Sequence, residues 1–283
     1  MIDSVFFSAE PLLDNRHDDW EDWEDNKIAE HVMGIADEMQ VYLNEFYDMF
    51  AKRYFNIDHH RFEIKKEFTA KSGIWIRKKR YAQHIILDNG VPVDKLDVKG
   101  LDVVRSSFPK AFRDFMSETL MDILHHKEKE EINEKILTFK ENLSKLDIRE
   151  IAKSSSVKNM SKYSVDNPNR LFEFQKSTPA HVKSAISFNQ LLDHYKCPYR
   201  YQPFTDGDKI KWVYLKNNPF GLESVGFRGY EDPEEVTDLI NTYIDYDKIF
   251  ERELENKLND FYTALGWGVV SNKAPSSDKF FEF

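Results

Sequence analysis

Four consecutive cationic residues followed by a tyrosine form the stretch of this sequence best suited to bind phosphate groups. Residues 77–81 read RKKRY. Such a stretch is typical of surfaces that track phosphates, because lysine and arginine neutralise backbone charge and release counterions. It also fits a solvated turn or an edge strand protected by charge. Composition alone leaves both interpretations open.

A carboxylate near the amino end is a second candidate. Asp3 precedes the β-forming residues Val5, Phe6 and Phe7, and we expect a strand from Asp3 to Phe7. A carboxylate at a strand end can hold Mg²⁺, which prefers oxygen ligands and usually takes one or two carboxylates plus substrate phosphates. A single aspartate near a terminus is more often an ordinary surface residue, so this alternative stays open.

The carboxyl end offers an apolar peptide. Phe280, Phe281 and Phe283 follow a polar tether. Terminal aromatic residues are commonly disordered or fold back on their own domain. They also suit a short linear peptide that fills an apolar pocket on a partner, with the tether providing reach.

Composition restricts the class of protein. The chain has 283 residues, of which 41% are hydrophobic, so a globular fold with a real core is expected. The net charge of −10 argues against non-specific nucleic-acid binding by the protein as a whole, although a local basic patch remains possible. A single cysteine, Cys197, suits a reducing cytoplasm. No apolar run approaches the ~18 residues of a membrane span, and we expect a cytoplasmic protein without a membrane partner.

Hydrophobic spacing places these residues on elements. A helix buried along one face is predicted from about Lys27 to Tyr54. Between Phe62 and Leu96 the pattern changes to short β-type runs, with DNG at residues 88–90 as a hairpin turn. The apolar residues of the predicted helix are Ile28, Val32, Ile35, Met39, Tyr42, Phe46 and Phe50.

The remainder of the chain is predicted to be mainly helical. Pro109 lies near a helix start after Ser107, and helical spacing continues through Leu124. The further predicted elements are a helix at about 128–146, a polar loop at 153–180, a buried apolar run at 180–192, a strand at 210–216, a turn at 217–221, a helix capped by Asp232 with Pro233 at its first position, and a last helix at about 246–265.

In order, these segments resemble the family B DNA polymerases. Residues 3–13, DSVFFSAEPLL, resemble the sequence that continues the Tyr-Gly-Asp-Thr-Asp-Ser motif of the family, so Asp3 matches its second aspartate and Ser4 the serine. Residues 78–82, KKRYA, resemble the Lys-Lys-Arg-Tyr motif of the palm, which contacts the primer–template duplex.

Further segments extend the resemblance over nearly all of the chain. Residues 99–112, 159–163 and 178–189 resemble the start of the thumb and two thumb segments. NPFG at residues 218–221 and FFEF at residues 280–283 resemble replicative polymerases of T-even-like phages, which end in a phenylalanine-rich peptide that binds the sliding clamp.

The resemblance implies an α+β fold, in which a partial polymerase palm of antiparallel strands with a long helix is followed by a mainly helical thumb. It implies that residues 1–104 form the C-terminal part of the palm, residues 105–272 the thumb, and residues 273–283 a flexible tail with a clamp-binding peptide.

It also implies roles for individual residues. Asp3 would supply one carboxylate to a two-Mg²⁺ site, with Ser4 and Glu67 nearby, and Phe280, Phe281 and Phe283 would bind the clamp. The implied DNA-binding residues are Lys78, Lys79, Arg80, Tyr81, Lys99, Arg105, Lys162 and Lys183.

The sequence contains no match to the exonuclease domain, the fingers or the other catalytic aspartate of the family. The resemblance therefore implies the C-terminal part of a split polymerase, catalytic only when an N-terminal polymerase fragment completes it. Its further partners would be primer–template DNA and a sliding clamp. A non-catalytic DNA-binding remnant and a truncation of a longer polymerase are the alternatives.

Overall fold

The computed structural model of the chain describes residues 5–163 and 172–270. The chain divides into two compact units, residues 1–99 and residues 100–283, and each unit contains helices and one antiparallel sheet. The predicted α+β class is thereby confirmed. Several predicted site residues lie outside the described residues, namely Asp3, Ser4, Phe280, Phe281 and Phe283. The palm, thumb and tail boundaries at residues 104 and 272 stay predictions.

The first unit combines a long helix with a three-stranded sheet in the order β1-β2-β3. Its elements are α1 (Glu10–Arg16), α2 (Asp25–Phe55), β1 (Phe68–Arg77), β2 (Arg80–Asp88) and β3 (Val91–Lys99). Asn89 and Gly90 connect β2 to β3 with φ angles of 49° and 80°. These left-handed angles are what a type I′ hairpin turn needs, so the predicted hairpin is confirmed.

Helix α2 confirms the predicted helix, but its apolar stripe is buried only in part. Ile28 and Ala29 pack in a cluster with Ile86 of β2. Further along the helix, Tyr42 is 67% exposed and Phe46 is 43% exposed, so the prediction of burial along the whole face is wrong. Among the described residues, α2 joins this cluster only near its amino end, so the aromatic residues further along the helix are left exposed.

The described part of the predicted strand Asp3–Phe7, residues 5–7, lies in no strand within this chain. A strand requires a neighbour to pair its backbone groups, and among the described residues no strand pairs with this segment. The Phe6 ring of this segment packs against aromatic residues of the sheet.

The second unit packs helices against a sheet in the order β4-β5-β6. Helices α9 (Tyr246–Phe250) and α10 (Asn256–Ala264) are joined by a π-helical segment, Glu251–Glu255. The elements are α3 (Lys110–Leu124), α4 (Lys129–Asn142), α5 (Ile148–Ile151), β4 (Lys153–Ser156), α6 (Met160–Tyr163), α7 (Ala180–His194), β5 (Lys209–Tyr214), β6 (Ser224–Phe227), α8 (Glu234–Tyr243), α9 (Tyr246–Phe250) and α10 (Asn256–Ala264).

Two predictions in this unit need correction. The segment predicted as a polar loop at 153–180 contains β4 and α6, because its serine-rich start pairs as an edge strand with β5, where polar residues are tolerated. Asp232 does not cap α8, whose N-cap is Pro233. The Asp232 carboxylate accepts from the backbone N–H groups of Arg228 and Gly229, each at 2.7 Å, so it closes the preceding turn.

Across the described part of the chain, the helices are too short or too polar to cross a membrane.

Candidate nucleic-acid interface

The cationic motif lies at one end of the first sheet. Lys78 and Lys79 form the two-residue turn between β1 and β2, and Arg77 pairs with Arg80 across it. Lys79 has a φ angle of 64°, in the left-handed region that residues other than glycine adopt infrequently. Both turn lysines are exposed, and neither forms an ion pair with a described residue. The turn therefore presents positive charge to solvent.

Tyr81 is held between the two neighbouring strands. It lies opposite Trp75 of β1 and Lys99 of β3. Two residues further along β2, and therefore on the same face, Gln83 lies opposite Asp97. Asp97 accepts a hydrogen bond of 3.0 Å from the Gln83 amide and pairs with the Lys99 ammonium at 2.9 Å.

This carboxylate sets the protonation of its neighbours. Burial and the nearby charge of Asp97 raise the pKa of Tyr81, so the phenol stays protonated and can donate a hydrogen bond at neutral pH. The Asp97 hydrogen bond and charge raise the pKa of Lys99, which stays cationic. Lys99 differs from the turn lysines because its charge already has a carboxylate partner.

An aromatic cluster ties the amino-terminal segment to this face of the sheet. The ring of Phe6 lies 5.5 Å from that of Tyr81, 6.1 Å from Trp75 and 6.0 Å from Phe68, centroid to centroid. Trp75 extends back over Gly73, where a Cβ would lie 2.5 Å from an indole carbon. Glycine at position 73 therefore makes room for the ring that Phe6 packs against.

Glu67 directly precedes Phe68 and is exposed. Its carbonyl accepts a hydrogen bond of 3.0 Å from the backbone N–H of Asn89. Because Phe6 contacts both Phe68 and Tyr81, the structure brings the strand end that carries Glu67 and the end of the cationic motif to one aromatic cluster.

The other predicted phosphate contacts lie on different elements of the second unit. Arg105 follows a 3₁₀ turn and pairs with Asp102 at 2.8 Å. Lys183 of α7 pairs with Glu223 at 3.1 Å. The ammonium of Lys162 in α6 lies 5.4 Å from the centre of the Tyr163 ring. Two of these three cations therefore already have carboxylate partners.

Sequence reasoning missed three features: the Asp97 carboxylate beside Lys99, the contact between Phe6 and Trp75, and a cationic cleft in the second unit. The alternation along β2 and β3 could have placed Asp97 beside Lys99, but Phe6 and Trp75 are too far apart in the chain for a local pattern. In the second unit, cationic residues from positions 110 to 211 meet at one cleft, and no local signal marks them.

Comparison with known proteins relates the chain to polymerases. The family model for DNA polymerase family B matches residues 26–263. A DNA-directed DNA polymerase of Enterobacteria phage T4 is 26% identical over 198 residues, covering 69% of this chain and 21% of that protein. A DNA-directed DNA polymerase of Escherichia phage RB69 is 26% identical over 283 residues, covering 93% of this chain and 29% of that protein. The chain thus spans less than a third of the length of either relative.

Proposed function

Because the chain belongs to DNA polymerase family B, we propose that it is the palm-end and thumb portion of a DNA-directed DNA polymerase and holds primer–template DNA at the β1–β2 turn. The observation that carries the proposal is the exposed pair Lys78 and Lys79, which no described carboxylate neutralises, on a sheet that fixes Tyr81 beside them. Free cations on a rigid hairpin suit phosphate contacts. Arg80 begins β2, and we assign it to the same contact surface.

Asp3 is the proposed metal ligand. It precedes Phe6 by three residues in the sequence, and Phe6 packs against Tyr81. Among the described residues on this face, the Asp97 carboxylate is already engaged by Lys99 and Gln83. When bound, Mg²⁺ would activate the primer 3′-hydroxyl and neutralise the triphosphate.

An N-terminal polymerase part would supply what this sequence does not match: the other catalytic aspartate, the fingers and the exonuclease domain. We assign Ser4 and Glu67 to the surroundings of the metal site. On this proposal the 283-residue chain alone does not extend a primer, and it works in the cytoplasm of the cell in which the DNA is replicated.

The second unit would contribute phosphate contacts and tethering. Arg105, Lys162 and Lys183 are the proposed thumb contacts, with Lys99 of the first unit beside the palm motif. Phe280, Phe281 and Phe283 would bind a sliding clamp, raising processivity by tethering and not by chemistry.

Duplex binding tests the proposal directly. Fluorescence anisotropy with a labelled primer–template would compare the chain with its Lys78→Gln/Lys79→Gln variant. We expect weaker binding and a salt slope that falls by about one for each phosphate that the variant no longer neutralises. Lys65→Gln/Lys66→Gln changes the net charge equally, but at lysines paired with Glu63 and Asp37, and should bind like the unchanged chain. Equally weak duplex binding by both variants would show that binding depends only on the net charge of the chain and not on the β1–β2 turn.

Primer extension tests the metal ligand. The chain would be mixed with an N-terminal polymerase part, primer–template, nucleotides and Mg²⁺. Asp3→Ala should abolish extension, whereas Asp14→Ala, which removes another acidic residue near the amino end, should not. Extension that survives Asp3→Ala contradicts the metal role. If the chain binds the duplex equally well with and without the N-terminal part, and the mixture extends no primer, the result favours a non-catalytic DNA-binding remnant.

A further inference from the structure

A second cationic site lies in the second unit, on residues that the sequence resemblance does not assign. A cleft of about 390 Å³ is lined by four cationic side chains, Lys110, Arg113, Arg149 and Lys211. They come from the first turn of α3, from α5 and from β5. The fold therefore gathers in one place cations that are widely separated in the chain.

The cleft is positive in an otherwise acidic protein. Its lining also contains two carboxylates, Asp147 and Glu150, so four cations against two anions leave a local charge of +2, whereas the whole chain carries −10. The hydroxyl-bearing residues Ser106 and Ser154 line the same cleft. A positive cleft with hydroxyl donors is chemically complementary to a phosphate group.

The two carboxylates neutralise only half of the cations. Glu150 pairs with Lys110 at 2.9 Å, and Asp147 binds the Arg149 guanidinium through both of its oxygens. For Arg113, the only carboxylate partner within the described residues is Asp114 at 3.9 Å, too far for a good hydrogen bond.

Lys211 is the second cation without a carboxylate. Its ammonium donates to the backbone carbonyl of Arg149 at 3.0 Å and forms no ion pair with a described residue. An ammonium has three N–H donors, so two are left for a ligand. Arg113 and Lys211 are therefore the groups that an anion in this cleft could bind without displacing a carboxylate.

The cations in the first turn of α3 do not stabilise the helix. The helix begins at Lys110, has no side-chain N-cap and has no acidic residue in its first turn. The amino end of a helix carries partial positive charge, so Lys110 and Arg113 near this end are unfavourable for the helix unless an anion approaches. An anion in the cleft would relieve this repulsion.

We propose that this cleft binds one backbone phosphate of duplex DNA, with Arg113 and Lys211 as the direct contacts. The proposal rests on the proposed function, because that function identifies DNA as the source of the phosphate. Ser106, which lines the cleft, directly follows the predicted phosphate contact Arg105 in the chain. Lys110 and Arg149 contribute charge while they stay bound to their carboxylates.

The test is anisotropy of a labelled primer–template duplex over a range of salt concentrations. Arg113→Gln/Lys211→Gln should bind roughly tenfold more weakly at low salt, with a salt slope smaller by about one, as expected when one phosphate is no longer neutralised. Arg113→Lys/Lys211→Arg keeps both charges and should retain most of the affinity. The matched control, Lys145→Gln/Lys196→Gln, removes two exposed lysines outside the cleft lining and should leave the slope unchanged. Thermal unfolding of each variant checks that the fold is intact.

The outcomes separate this proposal from the proposed function. If Arg113→Gln/Lys211→Gln binds the duplex normally while Lys78→Gln/Lys79→Gln binds it more weakly, the proposal that the cleft binds DNA is wrong. The proposal that the β1–β2 turn binds DNA is then retained. If the unchanged chain shows no salt-dependent binding to the duplex, both proposals are wrong. Inorganic phosphate, titrated alone by calorimetry, tests the other source: if it binds the unchanged chain but not the cleft variant, while duplex binding is unaffected, the cleft is a free-phosphate site and the proposal is wrong.

Discussion

The ammonium of Lys153 lies 2.7 Å from the carboxylate of Glu253, a residue 100 positions later in the chain. The Glu253 side chain is only 2% exposed, and Lys257 pairs with it at 3.1 Å. Lys153 begins β4, and Glu253 lies in the π-helical segment between α9 and α10. The ion pair therefore fastens this helical segment to the edge strand of the second sheet.

Glu253→Gln should lower the free energy of unfolding by roughly 2–4 kcal/mol, because removing one member of a buried pair leaves the cations without their partner. Urea unfolding followed by circular dichroism measures the change. Glu251→Gln, in the same π-helical segment but at an exposed position, should change stability by less than about 0.5 kcal/mol. Similar destabilisation in both variants would contradict a special role for the buried pair.

Gly73→Ala should displace the indole of Trp75, since the new Cβ would lie 2.5 Å from a ring carbon. Because Trp75 is 52% exposed and its ring can shift, we expect a change in tryptophan fluorescence and a decrease of no more than about 1 kcal/mol in unfolding free energy. Gly34→Ala is the matched control, because a Cβ there meets no atom within 4 Å. An unchanged stability and spectrum for Gly73→Ala would show that Trp75 does not depend on this glycine.

Alkaline pH should destabilise the chain through Tyr262. Burial raises the pKa of Tyr262 from 10.0 to about 12, and its hydroxyl donates to Asn133 at 2.7 Å. Because the folded state keeps the proton longer than the unfolded state, this contribution is fully present below about pH 10 and is lost as the pH rises towards 12.

Urea unfolding of the unchanged chain and of Tyr262→Phe between about pH 9 and pH 12 measures this effect. The unchanged chain should lose up to about 2 kcal/mol more over this interval than Tyr262→Phe. If the free energy of unfolding falls equally with pH in both proteins, groups other than Tyr262 cause the alkaline sensitivity.

Asp97→Asn should strengthen duplex binding on the proposed function. The substitution removes the carboxylate that pairs with Lys99, while the amide oxygen can still accept from Gln83. We expect roughly two- to fivefold tighter binding at low salt, an effect that disappears above about 0.5 M salt as screening increases. Asp88→Asn removes a carboxylate paired with Lys95 on the same sheet and serves as the control. Weaker or unchanged binding by Asp97→Asn would contradict the competition between Asp97 and phosphate.

Local patterns in the sequence predicted most of the regular elements. The apolar spacing located α2, α3 and α4 because a helix repeats its buried face every three or four residues. The Asp-Asn-Gly turn located the β2–β3 hairpin because only a few residues accept left-handed φ angles. These signals lie within short windows and need no knowledge of the rest of the fold.

Features set by distant residues were not predictable in this way. The burial of α2 depends on which part of the helix packs against the sheet, so Tyr42 has the spacing of a core residue and yet is exposed. Asp232 has the sequence of a helix cap, but it accepts from the turn before it. The resemblance correctly indicated the family, while the cleft at Arg113 and Lys211 depends on tertiary packing that no motif records.

The pairing of cations with carboxylates has a consequence for how long a bound duplex would stay in place. Three predicted phosphate contacts already have carboxylate partners, namely Lys99 with Asp97, Arg105 with Asp102 and Lys183 with Glu223. A phosphate arriving at such a cation must displace an internal carboxylate, which stays nearby and competes for return. Each interaction would then be brief, a kinetic property that fits the proposed function, in which the duplex must be released and bound again at every nucleotide step.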